Sequence, residues 1–132
     1  MPHTPNLRAS ARRHMEAGDR LNGGDRRDVA GYLFGIAAEC AIKAMIAEAG
    51  WRPLAQHKTL GDPFYMHFPE LKTWMSDHIG NRISSPLKSF VQPSFMHNWT
   101  TRMRYTDGKE IAPRWIDDWA SQAKSAVGSI GT

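Results

Sequence analysis

The chain has 132 residues, 41% hydrophobic and 23% charged, with a formal net charge of +4, which suits one domain with its own core and excludes a highly charged, disordered chain. A lone cysteine, Cys40, excludes an internal disulfide and any cysteine-rich metal site; no apolar leader is visible in MPHTPNLRASARRH, so a cytoplasmic location is expected. Mild basicity permits an anionic partner such as RNA or a nucleotide without demanding one.

In chain order, residues 1–6 carry Pro2 and Pro5 and are expected to fray. Leu7 to Leu21 reads as a first helix, with Leu7, Ala11, His14, Met15, Gly18 and Leu21 on one face. Asn22, Gly23 and Gly24 stop it. Asp25 is the expected N-cap of a second helix running to about Ala49. So short a turn makes the two helices antiparallel neighbours. Arg8, Arg12, Arg13, Arg20, Arg26 and Arg27 are interleaved in part with Asp19, Asp25 and Asp28, giving either a solvated face or a polyanion footprint.

The second helix is the most informative segment. Ala30, Leu33, Phe34, Ala37, Ala41, Ala44 and Met45 form a wide apolar stripe, which Glu48 takes to solvent in the last turn. Tyr32, Ile36 and Ile46 lie opposite, with Glu39 and Lys43 among them in the favourable i,i+4 order. Such a helix either packs on both faces or turns one face to a polar pocket or a subunit contact. Gly31 and Gly35, four apart on one edge, permit close approach of another helix.

Residues 51–68 form a long connection containing Pro53, Pro63, His57 and His67. A third helix is expected from Pro69 to about Ile79, ended by Gly80 and Asn81, with Leu71, Trp74, Met75 and His78 on its apolar side. Pro86–Val91 reads as a short helix and Ser94–Tyr105 as a further helical segment, followed by a turn at 106–109. The last helix starts near Ala112 and buries Ile116, Trp119, Ala120, Ala123, Val127 and Ile130. The expected fold is an all-α, antiparallel bundle of four to five helices spanning 1–132 as one domain.

No phosphate loop, dinucleotide fingerprint, HExxH or paired Cys/His spacing occurs. No metal and no cofactor are therefore expected, and Asp117–Asp118 reads as helix-end charge. The five tryptophans read as core or interface anchors.

The residues Ala30, Leu33, Phe34, Ala37, Ala38, Glu39, Ala41, Ile42, Lys43, Ala44, Met45 and Ile46 follow a first helix and a glycine turn. Further on come His57-Lys-Thr-Leu60, His67-Phe-Pro-Glu-Leu71 and Trp99-Thr-Thr-Arg-Met-Arg104-Tyr105. In order and spacing, from about Arg8 to Trp119, this resembles the HEPN superfamily of small helical bundles. The resemblance implies a homodimer from a prokaryotic defence or toxin–antitoxin locus, with a cognate antitoxin or nucleotidyltransferase-type partner. No membrane association is expected, because the longest apolar helix carries the Glu39–Lys43 charge pair and is interrupted by glycines. Many members are metal-independent endoribonucleases with an R-x(4–6)-H motif. Here that spacing occurs only at Arg8–His14 and Arg52–His57, neither in the later helix where the family carries it, and no histidine follows Arg104.

Chemistry alone gives a similar candidate site. Arginine grips phosphate bidentately, and arginine and aromatic planes stack unpaired bases. Glu39, Lys43, Arg102, Arg104 and Tyr105 are the candidate nucleotide- or RNA-binding residues, with Glu39 and Lys43 as an acid–base pair or Glu39 orienting Arg104 through an ion pair. A structural Glu39–Arg104 pair inside the bundle is the plain counterpart. Two functions stay open: a nucleotide- or RNA-binding domain, including a diverged ribonuclease, and a non-enzymatic dimeric scaffold.

Overall fold

The computed structural model describes residues 4–53, 61–78 and 85–132. The described residues form five α-helices and no strand: α1 (Leu7–Asn22), α2 (Arg27–Glu48), α3 (Glu70–His78), α4 (Ser85–Lys88) and α5 (Pro113–Gly128). Two 3-10 turns, Pro63–Tyr65 and Thr101–Tyr105, lie between them. The fold is all-α, as expected from the sequence. His3, His57, Leu60, Ile79, Gly80 and Asn81 lie outside the described residues.

Helix α1 starts where Asn6 accepts the Ala9 amide at 3.0 Å, so this residue of the expected frayed end caps a helix. Its buried Ala11, Met15 and Gly18 pack on α2, the central helix. Asp25 does not cap α2: the N-cap is Arg26, with no side-chain cap bond. The acid at this end is Asp28 in the first turn, held by Arg26 at 2.5 Å. Among the described residues α2 alone is long and apolar enough to cross a membrane, but 72% of that window is buried inside the bundle. Glu48 does reach the surface, where it pairs with Arg8 at 2.7 Å.

Helix α5 lies across α2 and buries Ile116, Trp119, Ala123 and Ala126. Gly31 gives it room: a Cβ there would meet the Trp119 ring at 3.0 Å. Gly35 serves a different neighbour. A Cβ on it would fall 1.9 Å from the Trp99 indole, which lies flat against the helix backbone. Trp99, 1% exposed, donates Nε1–H to Gly31 O at 3.1 Å and stacks on Tyr32 at 5.5 Å.

The expected helix over Ser94–Tyr105 is not formed. Residues 94–98 are turns, with Met96 (φ 53°) and Asn98 (φ 65°) left-handed, and only Thr101–Tyr105 is a 3-10 turn. Side chains replace the missing helical bonds. Gln122 takes the Met96 amide at 2.7 Å and gives its own amide to Ser94 O at 2.9 Å, and Lys72 donates to Pro93 O (3.0 Å) and Phe95 O (2.8 Å). Burial lowers the pKa of that ammonium. The tryptophan-anchored loop thus sets 100–105 beside the 67–70 entry to α3.

Candidate functional site

Glu39 sits in the middle of α2, 3% exposed. A buried carboxylate needs donors, and the chain supplies them from the segment ahead of α3. His67 Nδ1 lies 2.9 Å from Oε1 and the Phe68 amide lies 3.1 Å from Oε2. A carboxylate only accepts, so His67 carries its proton on Nδ1. That leaves Nε2 unbonded among the described residues. The His67 side chain is 50% exposed.

His67 lines a cavity of about 350 Å³ with Tyr65, Glu70, Thr100, Thr101 and Arg102. Phe68 fixes one side, its ring edge-on to Trp99 at 6.1 Å and to Phe95 at 5.7 Å. Thr100 fixes the other: its hydroxyl accepts the Arg102 amide at 2.9 Å and starts the 3-10 turn. A histidine oriented by a buried carboxylate therefore shares a pocket with an exposed arginine.

The five residues singled out from the sequence do not converge on one cleft. The Glu39–Arg104 ion pair is not formed, because both Glu39 oxygens face 67–68. Arg102 belongs to the His67 cavity. Arg104 lies instead in a second cavity of about 360 Å³, with Arg26, Asp28, Val29, Tyr32 and Met103. Its guanidinium rests 5.3 Å from the centre of the Tyr105 ring, which is 81% exposed. Gly108 (φ +81°) closes this cavity, and a Cβ there would strike Asp28 Oδ2 at 2.3 Å.

Lys43 is 8% exposed and makes no hydrogen bond or ion pair among the described residues. Burial lowers its pKa, against the charges of Glu39, Cys40 and Asp62. Cys40 approaches Ser10 at 3.3 Å; burial raises its pKa, outweighing the Ser10 hydrogen bond and the Lys43 charge. A shift in this direction lowers the thiolate fraction, the form that reacts. His14 is fully committed at Nδ1 to Ser10 O, 2.7 Å away. Among the described residues no three His, Cys, Asp or Glu side chains are grouped to hold a metal ion.

Sequence reasoning set His67 in the 51–68 connection without a chemical role. Its partner is 28 residues away, and nothing local announces the pairing. The one available signal was Glu39 itself, an acid in a helix apolar on both faces. No family model, curated protein or solved structure matches the chain.

Proposed function

We propose that this chain is a HEPN-like RNA-binding domain of a defence or toxin–antitoxin system that cleaves single-stranded RNA through His67, acting as a homodimer beside a cognate antitoxin or nucleotidyltransferase-type partner in the cytoplasm. One observation carries the chemistry: the buried Glu39 carboxylate holds His67 by Nδ1 at 2.9 Å, in a cavity lined by Arg102. A carboxylate–imidazole pair of this kind leaves Nε2 as the acceptor nitrogen, turned away from the acid. Arg102 supplies a permanent cation for the phosphate.

In this reading Nε2 of His67 takes the proton of a ribose 2′-hydroxyl. The 2′-oxygen bonds to the adjacent phosphorus, the P–O5′ bond breaks, and the departing 5′-oxygen takes a proton from water. The products are a 2′,3′-cyclic phosphate and a 5′-hydroxyl end. Arg102 holds the non-bridging oxygens, on which charge accumulates. Arg104 and Tyr105, on the outer side of the same 3-10 turn, offer a cation and a ring face to the flanking strand. Side chains supply both base and cation, so cleavage in EDTA is expected.

The scaffold reading relied on α2 turning its second face to another subunit. Within the single chain, 67–68 already cover that face at Glu39, so the observations favour the ribonuclease. The test incubates end-labelled single-stranded RNA with wild type, His67→Gln and Arg102→Gln in EDTA, reading cleavage and retention together. Wild type is expected to leave cyclic phosphate ends, His67→Gln to cut about 100-fold more slowly with binding retained, and Arg102→Gln to lose both. Binding without cleavage by wild type would reduce the domain to an RNA-binding module, and neither would restore the scaffold.

A further inference from the structure

On the other side of Tyr65 lies a larger and more apolar cleft, of about 620 Å³, within the size range of small-molecule sites. Its floor is Leu7 of α1 with Ala44 and Ala47 of α2, and its walls are Trp51, Phe64 and Tyr65. Two features make these walls rigid. Trp51 is held edge-on to Trp74 at 5.0 Å and to His78 at 5.7 Å. Phe64 and Tyr65 ride on a 3-10 turn whose first residues are fixed by Asp62 Oδ1 accepting the Phe64 amide at 2.9 Å.

The rim is polar. Arg8 and Glu48 pair at 2.7 Å, and Arg52 is pinned by Nη1 to Trp51 O (2.9 Å) and Ala47 O (3.1 Å). Asn6 completes it, its Oδ1 already committed to the α1 cap. With Arg8 balanced by Glu48, the cleft keeps one excess positive charge among the described residues, on Arg52. A flat ligand with π faces, a hydrogen-bonding edge and an attached anion matches this arrangement. A hydrocarbon chain would bring no counter-charge to Arg52.

We propose that this cleft is a nucleobase subsite, which takes one unpaired base of the RNA strand whose phosphate reaches His67 and Arg102. The inference rests on the ribonuclease reading for its second half, and Tyr65 joins the two because it lines both cavities. The base stacks among Tyr65, Phe64 and Trp51, as unpaired bases do on aromatic side chains. Ala47 leaves the space that the base fills. The ribonuclease then prefers the nucleotide beside the scissile bond by shape and stacking, and requires that nucleotide to be single-stranded.

The probe is 2-aminopurine riboside 5′-monophosphate, whose fluorescence falls on stacking. Wild type should quench it saturably at sub-millimolar concentration. Tyr65→Ala should weaken binding about tenfold, the usual worth of one stacked base. Ala47→Leu, which fills the space, should abolish quenching while far-ultraviolet circular dichroism is unchanged; if Ala47→Leu does not fold, exposed Tyr65→Ala alone decides. The absence of saturable quenching by wild type, or equal quenching by Tyr65→Ala, overturns the subsite. The two readings fail separately. Quenching without RNA cleavage leaves the subsite and removes the ribonuclease, whereas cleavage without quenching does the reverse.

Discussion

His67 donates Nδ1–H to a carboxylate that is 3% exposed, at 2.9 Å, whereas His97 meets Asp118, whose side chain is 54% exposed, at 3.3 Å. Bond use differs as well. His67 keeps Nε2 unbonded among the described residues, but His97 spends both nitrogens: Nδ1 accepts from Asn98 Nδ2 at 3.1 Å and Nε2 faces Asp118. The backbones differ in the opposite sense. His97 sits between left-handed Met96 and Asn98, and its carbonyl accepts Trp119 Nε1–H at 2.9 Å. A histidine and a carboxylate thus make a buried-acid pair with one ring nitrogen to spare in one place and a loop clasp in the other. What separates them is burial of the acid and a nitrogen left over, not the presence of the pair.

The sharpest way to break this contrast is to remove each imidazole. His67→Gln keeps an amide donor for Glu39, so the fold should stand while RNA cleavage falls by about 100-fold or more. His97→Gln should change cleavage by less than about twofold, since nothing places it near the phosphate. Equal losses would dissolve the distinction. Removing the acids comes next. Glu39→Gln replaces a buried acceptor of two hydrogen bonds by a group that accepts on one atom only, which costs about 1–3 kcal/mol in chemical denaturation. It also releases His67 from its Nδ1–H tautomer, so cleavage should drop without loss of RNA binding.

Lys43 tests the surroundings of Glu39. Burial lowers its pKa, so the folded state holds the ammonium less readily than the unfolded chain does. Between the lowered folded value and the ordinary lysine value of 10.5, the unfolded chain binds more protons, and stability rises with pH across that window. Lys43→Met should therefore stabilise the domain at neutral pH by roughly 1 kcal/mol, about 4 °C in Tm for a chain of this size. The gain should shrink as pH climbs towards the lysine value. A Tm difference that is independent of pH would show that packing, and not the buried charge, sets the effect.

Much of the fold was legible in the chain. The periodic apolar residues of α1, α2 and α5 and the glycine turn at 23–24 announced themselves because local pattern and tertiary burial agree there. The 94–105 segment did not, because its shape is set by distant partners: Lys72 and Gln122 satisfy its backbone, and Trp99 fills the space left by Gly35. The site was half legible for the same reason. Glu39 stood out as an acid on an apolar helix, and Arg102 as a cation in an aromatic segment. The partner that joins them, His67, is ordinary in its own neighbourhood. Arg104, equally conspicuous, turns to a different cavity because a 3-10 turn sends residues two apart to different sides.

The smallest effect is the most exacting test of the contrast. Asp118→Asn removes an exposed acid at 3.3 Å from His97, and pairs of this kind contribute little. The loop keeps the Trp119–His97 carbonyl bond and both Gln122 bonds, none of which involves the carboxylate. Stability should then stay within about 0.5 kcal/mol of wild type. Long-range nitrogen NMR at alkaline pH reads the same difference directly. His67 should show its proton on Nδ1, and His97 on Nε2, where Asp118 and Asn98 together require it. In Asp118→Asn the His97 preference persists, because Asn98 still donates to Nδ1; in Glu39→Gln the His67 preference weakens, because no second partner fixes that ring. A shift in His97 as large as that in His67 would mean that the exposed acid orients its histidine as firmly as the buried one, and burial would lose its place as the deciding variable.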